Sequence, residues 1–300
     1  MANPPEPPSV DPTAAGAIPL PPDLDSDSVE ELIVLLREPQ YRNVALFLLA
    51  KKREEQLGDL ALLLWNSTST IYILLMEIIA SFKLITSSML TIQNSTRVCH
   101  SLVLLQCVAS HPETRMPFIH AKIPLYLYPL LNTTTIETPF ELLRVGSLAV
   151  IGGLLKVDDP KVVHFLLETG IFPMVLRCME LGCVQSKSVA ALIVSKILLQ
   201  EEGLKYCCDF AERVYTVVWV LGGVINCINL AEEPSLKLLN LVMNCYLRLS
   251  EMPRACDALR DRFPARLRDP TFIRVINEGD PITAMYLQHL LYNLKNLSTF

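Results

Sequence analysis

The chain has 300 residues, 51% of them hydrophobic and 19% charged, and a net charge of −5. That apolar content is enough for a large core, while the net acidity excludes a protein that holds polyanions through bulk charge. Glycine is scarce at 11 residues and the hairpin dipeptides Asn-Gly and Asp-Gly are absent, which excludes a fold built on tight β-hairpins.

Residues 1–27 are a separate material. Eight prolines fall within residues 4–22, and Asp23, Asp25 and Asp27 follow. Such a segment buries too little apolar surface to offset the entropy of ordering, so it is predicted to be a disordered Pro-rich acidic tail. It serves either as a solubilising tail or as a polyproline ligand for a small domain. No basic region followed by an apolar run opens the chain, so no signal peptide is expected. The folded domain is predicted over 28–300.

Ser28 is placed to cap a helix with Glu30 and Glu31 in its first turn, and Pro39 ends it. A second helix is predicted over 41–55. Its Lys51-Lys52-Arg53 run is followed by Glu54-Glu55, as at a solvated helix end with local ion pairs. Residues 57–82 read as a third helix or a pair.

From Arg97 onward a unit repeats. A long apolar helix leads to a polar turn with a proline, then a short helix, then a second proline. The pairs are Pro112 and Pro124, Pro160 and Pro173, and Pro253 and Pro264. Pro112 and Pro160 are 48 residues apart, and Pro160 and Pro253 are 93 apart, about two such steps. A weaker copy is therefore expected to turn near Glu201-Glu202-Gly203. Periods of about 40–47 residues made of two or three helices define armadillo or HEAT repeats. The predicted fold is all-α, a right-handed α-solenoid of about six armadillo-like repeats. Such a fold usually offers a binding surface.

Val214–Ala231 carries no charge over 18 residues, near the lower length of a membrane span. Thr216, Asn226, Asn229 and the Gly222-Gly223 pair favour a buried solenoid helix instead, and no membrane is expected. Nine cysteines, an odd count without a CxxC spacing, sit mostly in apolar helical runs. They read as small buried hydrophobes in a reducing compartment, without a metal. No nucleophile elbow, phosphate loop, dinucleotide fingerprint or zinc-protease motif is present, so neither catalysis nor a cofactor is expected.

One helix is polar on a single stripe. Lys237, Asn240, Asn244 and Arg248 follow at offsets of 3, 4 and 4. The stripe is either an ordinary solvated face or the lining of a groove, where Asn amides hydrogen-bond an extended peptide. Arg97, His100 and Arg144 extend such a lining into earlier repeats.

The runs at 104–115 (LLQCVASHPETR), 124–131 (PLYLYPLL), 138–156 (TPFELLRVGSLAVIGGLLK) and 245–260 (CYLRLSEMPRACDALR) closely resemble the Rcd-one/Caf-forty family, named "required for cell differentiation". Its members are armadillo-repeat subunits of the CCR–NOT deadenylase complex. The resemblance covers roughly 28–297 and implies a non-enzymatic adaptor in mRNA decay and translational repression, in nucleus and cytoplasm including P-bodies. The implied partners are the NOT scaffold subunit and short, in part tryptophan-containing, peptides of RNA-associated repressors.

The family's tryptophan-pocket region has an aromatic-Glu-Arg step. Here it reads Ala211-Glu212-Arg213, with Phe210 one place early and Lys237 at a nearby basic position. One residue turns a helical side chain by about 100°, so Phe210 is not expected to substitute. The family's Leu-Trp-His-Ser-Phe-Gly-Thr groove stretch reads Leu64 to Thr70 here. It keeps Trp65 but has Asn66 and Thr68 for the His and Phe, with Tyr72 for a later small residue. These departures imply a diverged paralogue that keeps scaffold docking and shifts its peptide specificity. Two other readings stand beside this one. Arg97, Arg144 and Arg248 would line a basic groove for weak direct nucleic-acid binding, or the chain would serve as a peptide receptor outside the complex. Exposed apolar edges of a solenoid also permit a homodimer.

Overall fold

Prolines and polar caps set where the helices begin. The computed structural model describes residues 28–53, 57–229 and 233–296. The tail, Glu54-Glu55 and Ala231 lie outside the described residues. Helix α1 (Val29–Leu35) opens with a complete capping box, Ser28 and Glu31 each bonding the other's backbone N–H. It is followed by α2 (Arg42–Lys52). The apolar run after it is a pair, α3 (Leu57–Asn66) and α4 (Thr70–Thr86), broken where Ser69 takes a left-handed conformation (φ 69°).

The repeat then runs in four rounds of long, short and intermediate elements. The first is α5 (Ile92–Ser110), α6 (Pro112–His120), then a 3-10 turn leading into α7 (Tyr128–Leu131). The second is α8 (Thr138–Leu154), α9 (Pro160–Glu168) and α10 (Ile171–Leu181). The third is α11 (Val184–Leu199), α12 (Glu201–Cys208) and α13 (Ala211–Cys227). The fourth is α14 (Glu233–Leu249), α15 (Pro253–Asp261) and, after a 3-10 turn, α16 (Pro270–Gly279); α17 (Pro281–Asn296) closes the series. The short helices start at Pro112, Pro160, Glu201 and Pro253, at intervals of 48, 41 and 52 residues, so the weak copy turns where the spacing placed it. Three of the four begin on a proline at the first position, which costs no hydrogen bond there and pre-sets φ.

Each long helix packs on the long helix of the neighbouring round. The contacts run α2 to α5, α5 to α8, α8 to α11, α11 to α14 and α14 to α17, which gives six stacked inner helices. This is the right-handed armadillo-type α-solenoid predicted. The closest stack is α5 on α8, and two glycines allow it. A Cβ on Gly146 would lie 2.8 Å from Leu102 Cδ1, and one on Gly153 would lie 2.7 Å from Ser110 Oγ. Leu102, Leu105, Leu148 and Ile151 are fully buried along this seam, each contributing about 1.5–3 kcal/mol of transfer free energy.

Val214–Cys227 is part of α13, with Val214, Val217, Val218, Leu221 and Ile225 fully buried in the core. Among the described residues no single helix is long and apolar enough to cross a membrane.

Candidate functional site

The inner helices carry two grooves. The first, of about 500 Å³, crosses α5, α8 and α11 at their C-terminal halves. Its floor is apolar and small: Ala149, Gly152, Val189 and the exposed Leu192. Gly152 is free of close neighbours, since a Cβ there meets only Val189 Cγ1 at 4.0 Å. Arg53, Lys156 and Lys196 stand on the rim, and Asp158 holds the Lys196 ammonium at 3.0 Å. An apolar trough with cations at its edge suits an apolar side chain flanked by acidic residues. These glycines and cations carry no distinguishing motif in the sequence.

The second groove, of about 710 Å³, lies between α2 and α5. Phe47, half exposed, meets the His100 ring edge-on at 5.6 Å. Burial lowers the titration of His100, so its ring is neutral near pH 7. Arg97 lines this groove as expected, but Glu77 holds it, with Nε 2.7 Å and Nη2 2.8 Å from the carboxylate.

Other candidates are structural. Arg144 is fully buried and does not line a groove. It bonds Glu141 and donates to the carbonyls of Thr133 (2.9 Å) and Thr135 (3.0 Å), fastening the loop before α8. Burial pushes the Glu141 carboxyl up. Bonds from the Ser186 hydroxyl and from Cys183, with the Arg144 charge, outweigh it and hold the group below the usual carboxylate range.

The polar stripe of α14 is a seam rather than a peptide ladder. Asn240 donates to Asp280 (3.2 Å) and Thr283 (2.9 Å) on the α17 side, and Asn244 donates to Ser195 (3.2 Å) on α11. Arg248 donates to the Leu198 carbonyl (3.2 Å) and pairs with Glu201 (2.7 Å) and Glu251. An inner helix has neighbours on both flanks, so its half-buried polar groups bond across the stack. Lys237 alone of the stripe is exposed.

At the start of α13, Glu212 is exposed, while the Arg213 guanidinium lies over two rings, 3.7 Å from the Tyr206 centroid and 5.0 Å from that of Phe210. Phe210 therefore does reach Arg213. It is the N-cap of α13, in extended conformation (φ −120°, ψ 131°), and the helical rotation that argued against it does not apply. At the α3–α4 break Trp65 is half-buried against the core, whereas Asn66, Thr68 and Tyr72 are exposed.

A solenoid of long helices stacked in this way has the armadillo-repeat fold. Residues 32–294 match the model of the "Cell differentiation family, Rcd1-like", and the chain belongs to that family. It is 46% identical over 277 residues to "Cell differentiation protein rcd1" of Schizosaccharomyces pombe, spanning 92% of this chain and 96% of that one. It is 45% identical over 255 residues to "Protein CAF40" of Saccharomyces cerevisiae, spanning 85% and 68%. A designed armadillo repeat protein in complex with peptide (KR)4 shares the fold, with a TM-score of 0.57, 12% identity and coverage of 89% and 100%.

Proposed function

We propose that this chain is a non-catalytic adaptor of the CCR–NOT deadenylase complex. It docks on the NOT scaffold subunit and holds short repressor peptides in mRNA decay and translational repression, in nucleus and cytoplasm including P-bodies. Membership of the Rcd1-like family supports the assignment, and the groove across α5, α8 and α11 supports the mode of binding. The peptide enters with an apolar side chain against Gly152, Val189 and Leu192, and its acidic residues face Arg53, Lys156 and Lys196. Arg97 and Arg248 are ion-paired and Arg144 is buried, so these three do not form the basic groove that the nucleic-acid reading needs, which favours the peptide.

The test is co-purification of the full chain with the NOT scaffold region, at moderate and high salt. A complex that survives high salt supports the adaptor reading. A folded helical chain that captures no scaffold overturns it. RNA binding that collapses with salt would then favour the nucleic-acid reading.

A further inference from the structure

The groove across α5, α8 and α11 suits an apolar side chain flanked by acidic residues, and this chain carries such a segment itself. Residues 18–27 read IPLPPDLDSD. Ile18 and Leu20 come first, Leu24 follows between Asp23 and Asp25, and Asp27 comes last. The segment runs directly into Ser28, the cap of α1.

Helix packing puts the start of α1 at the groove's edge of the solenoid. α1 packs on α2, and residues 36–41 alone join them. Helices joined by so short a turn run antiparallel, so Ser28 lies toward the C-terminal end of α2. Arg53, the C-cap of α2, stands there and lines the groove rim. The other rim cations, Lys156 and Lys196, stand at the C-terminal ends of α8 and α11. The segment therefore meets the fold at the edge that holds all three cations. Stacked helices lie 8–10 Å apart, so α8, two places on from α2, is about 20 Å from it. An extended chain gains about 3.3 Å per residue, and the eight residues from Leu20 to Ser28 span about 26 Å. That length brings Leu20 to the floor at Gly152 and Val189 and leaves Asp23 and Asp25 along the rim.

Charge agrees with reach. None of the residues that line this groove is acidic, whereas Arg53, Lys156 and Lys196 all do line it. Asp158 pairs with Lys196 at 3.0 Å from outside the lining, at an exposed position that water screens. The groove between α2 and α5 suits the segment less, because Glu77 already holds its Arg97. We infer that residues 18–27 fold back as an intramolecular occupant of the groove across α5, α8 and α11. Leu20 sits on the floor, Asp23 and Asp25 face the rim cations, and an outside peptide must displace them. A tethered segment acts at an effective concentration in the millimolar range, so even a Kd of about 0.1 mM fills the groove in about nine chains of ten. Such occupancy weakens an outside peptide about tenfold.

The test treats the dilute full-length chain with a water-soluble carbodiimide, which joins a carboxylate to an amine only where the two touch. Mass spectrometry maps the links in the monomer. A link between Lys196 and Asp158 verifies that the reagent reaches the rim. The expected result is a further link from Asp23 or Asp25 to Lys156 or Lys196, at least about fivefold weaker in Leu20→Ser. A fluorescein-labelled peptide copy of residues 16–27 should bind the Leu20→Ser chain about tenfold more tightly than wild type. With the Lys196–Asp158 link formed, tail links confined to other lysines, or found only between two copies, overturn the occupancy. Equal binding of the labelled peptide to both chains, or none to either, does the same. The competition rests on the groove being the repressor-peptide site, but the tail link does not. Failure of the scaffold test would leave that link in place, and loss of the link would leave repressor-peptide binding to be read by itself.

Discussion

The Arg213 guanidinium lies over two rings, 3.7 Å from the centroid of Tyr206 and 5.0 Å from that of Phe210. A tryptophan that stacks on that guanidinium competes with Phe210, which is 62% exposed. Phe210→Ala is therefore expected to strengthen binding of a tryptophan-containing repressor peptide by roughly fivefold, about 1 kcal/mol, the scale of one exposed cation–π contact. Calorimetry of wild type and variant decides the matter. Weaker binding by the variant would show that Phe210 is a wall of the pocket rather than its plug.

Arg144→Ala leaves the Glu141 carboxylate and the carbonyls of Thr133 and Thr135 buried without their cation. The expected loss is about 3–5 kcal/mol of stability, read from urea unfolding. Glu141→Gln with Arg144→Met removes both charges together and should recover part of it. Any variant that does fold should bind peptide or RNA as wild type does. Loss of binding at unchanged stability would return Arg144 to the groove.

The helices, their turns and the repeat were legible because proline, caps and apolar spacing act locally. The weak third round was found from its neighbours' spacing alone, although Glu201 stands where the other rounds have proline. The use of the polar side chains was not legible. Asn240 and Asn244 form a proper stripe, but a stripe does not say whether solvent, a ligand or the next helix faces it, and here Thr283 and Ser195 do. Arg144 failed for a related reason: its partners Thr133 and Thr135 sit on a loop whose return no periodicity records. The contact of Phe210 with Arg213 was not legible either, because Phe210 is the N-cap, just outside the helix, where helical rotation does not set its direction.

Stability should depend on pH from two directions. Hydrogen bonds to the side chains of Glu202 and Glu168 and their charges raise His164 above its ordinary value. Its contribution is complete below pH 6.5 and is lost as pH rises through the higher folded value. Glu141 and Asp280 are both depressed, so theirs is present above pH 4.5 and 3.8 and is lost as pH falls through the lower folded values. The urea midpoint of wild type should fall between pH 6.5 and 8 more than that of Glu202→Gln. Parallel curves would show that His164 is not coupled to Glu202.

Gly152 and Gly153 are adjacent, yet they face different things, and alanine should separate them. At Gly153 a Cβ would lie 2.7 Å from Ser110 Oγ and 3.3 Å from the Gln106 carbonyl oxygen. The hydroxyl can turn away but the backbone carbonyl cannot, so Gly153→Ala must push α5 from α8, at a cost of about 1–3 kcal/mol. Gly152→Ala meets only Val189, at 4.0 Å, and gains about 0.5–1 kcal/mol of helix propensity. The larger Gly152→Leu fills the groove floor. It should leave the urea midpoint close to wild type and abolish binding of an apolar, acid-flanked peptide, measured by fluorescence polarisation. If Gly152→Leu binds that peptide with unchanged affinity, the groove across α5, α8 and α11 is not where the peptide sits.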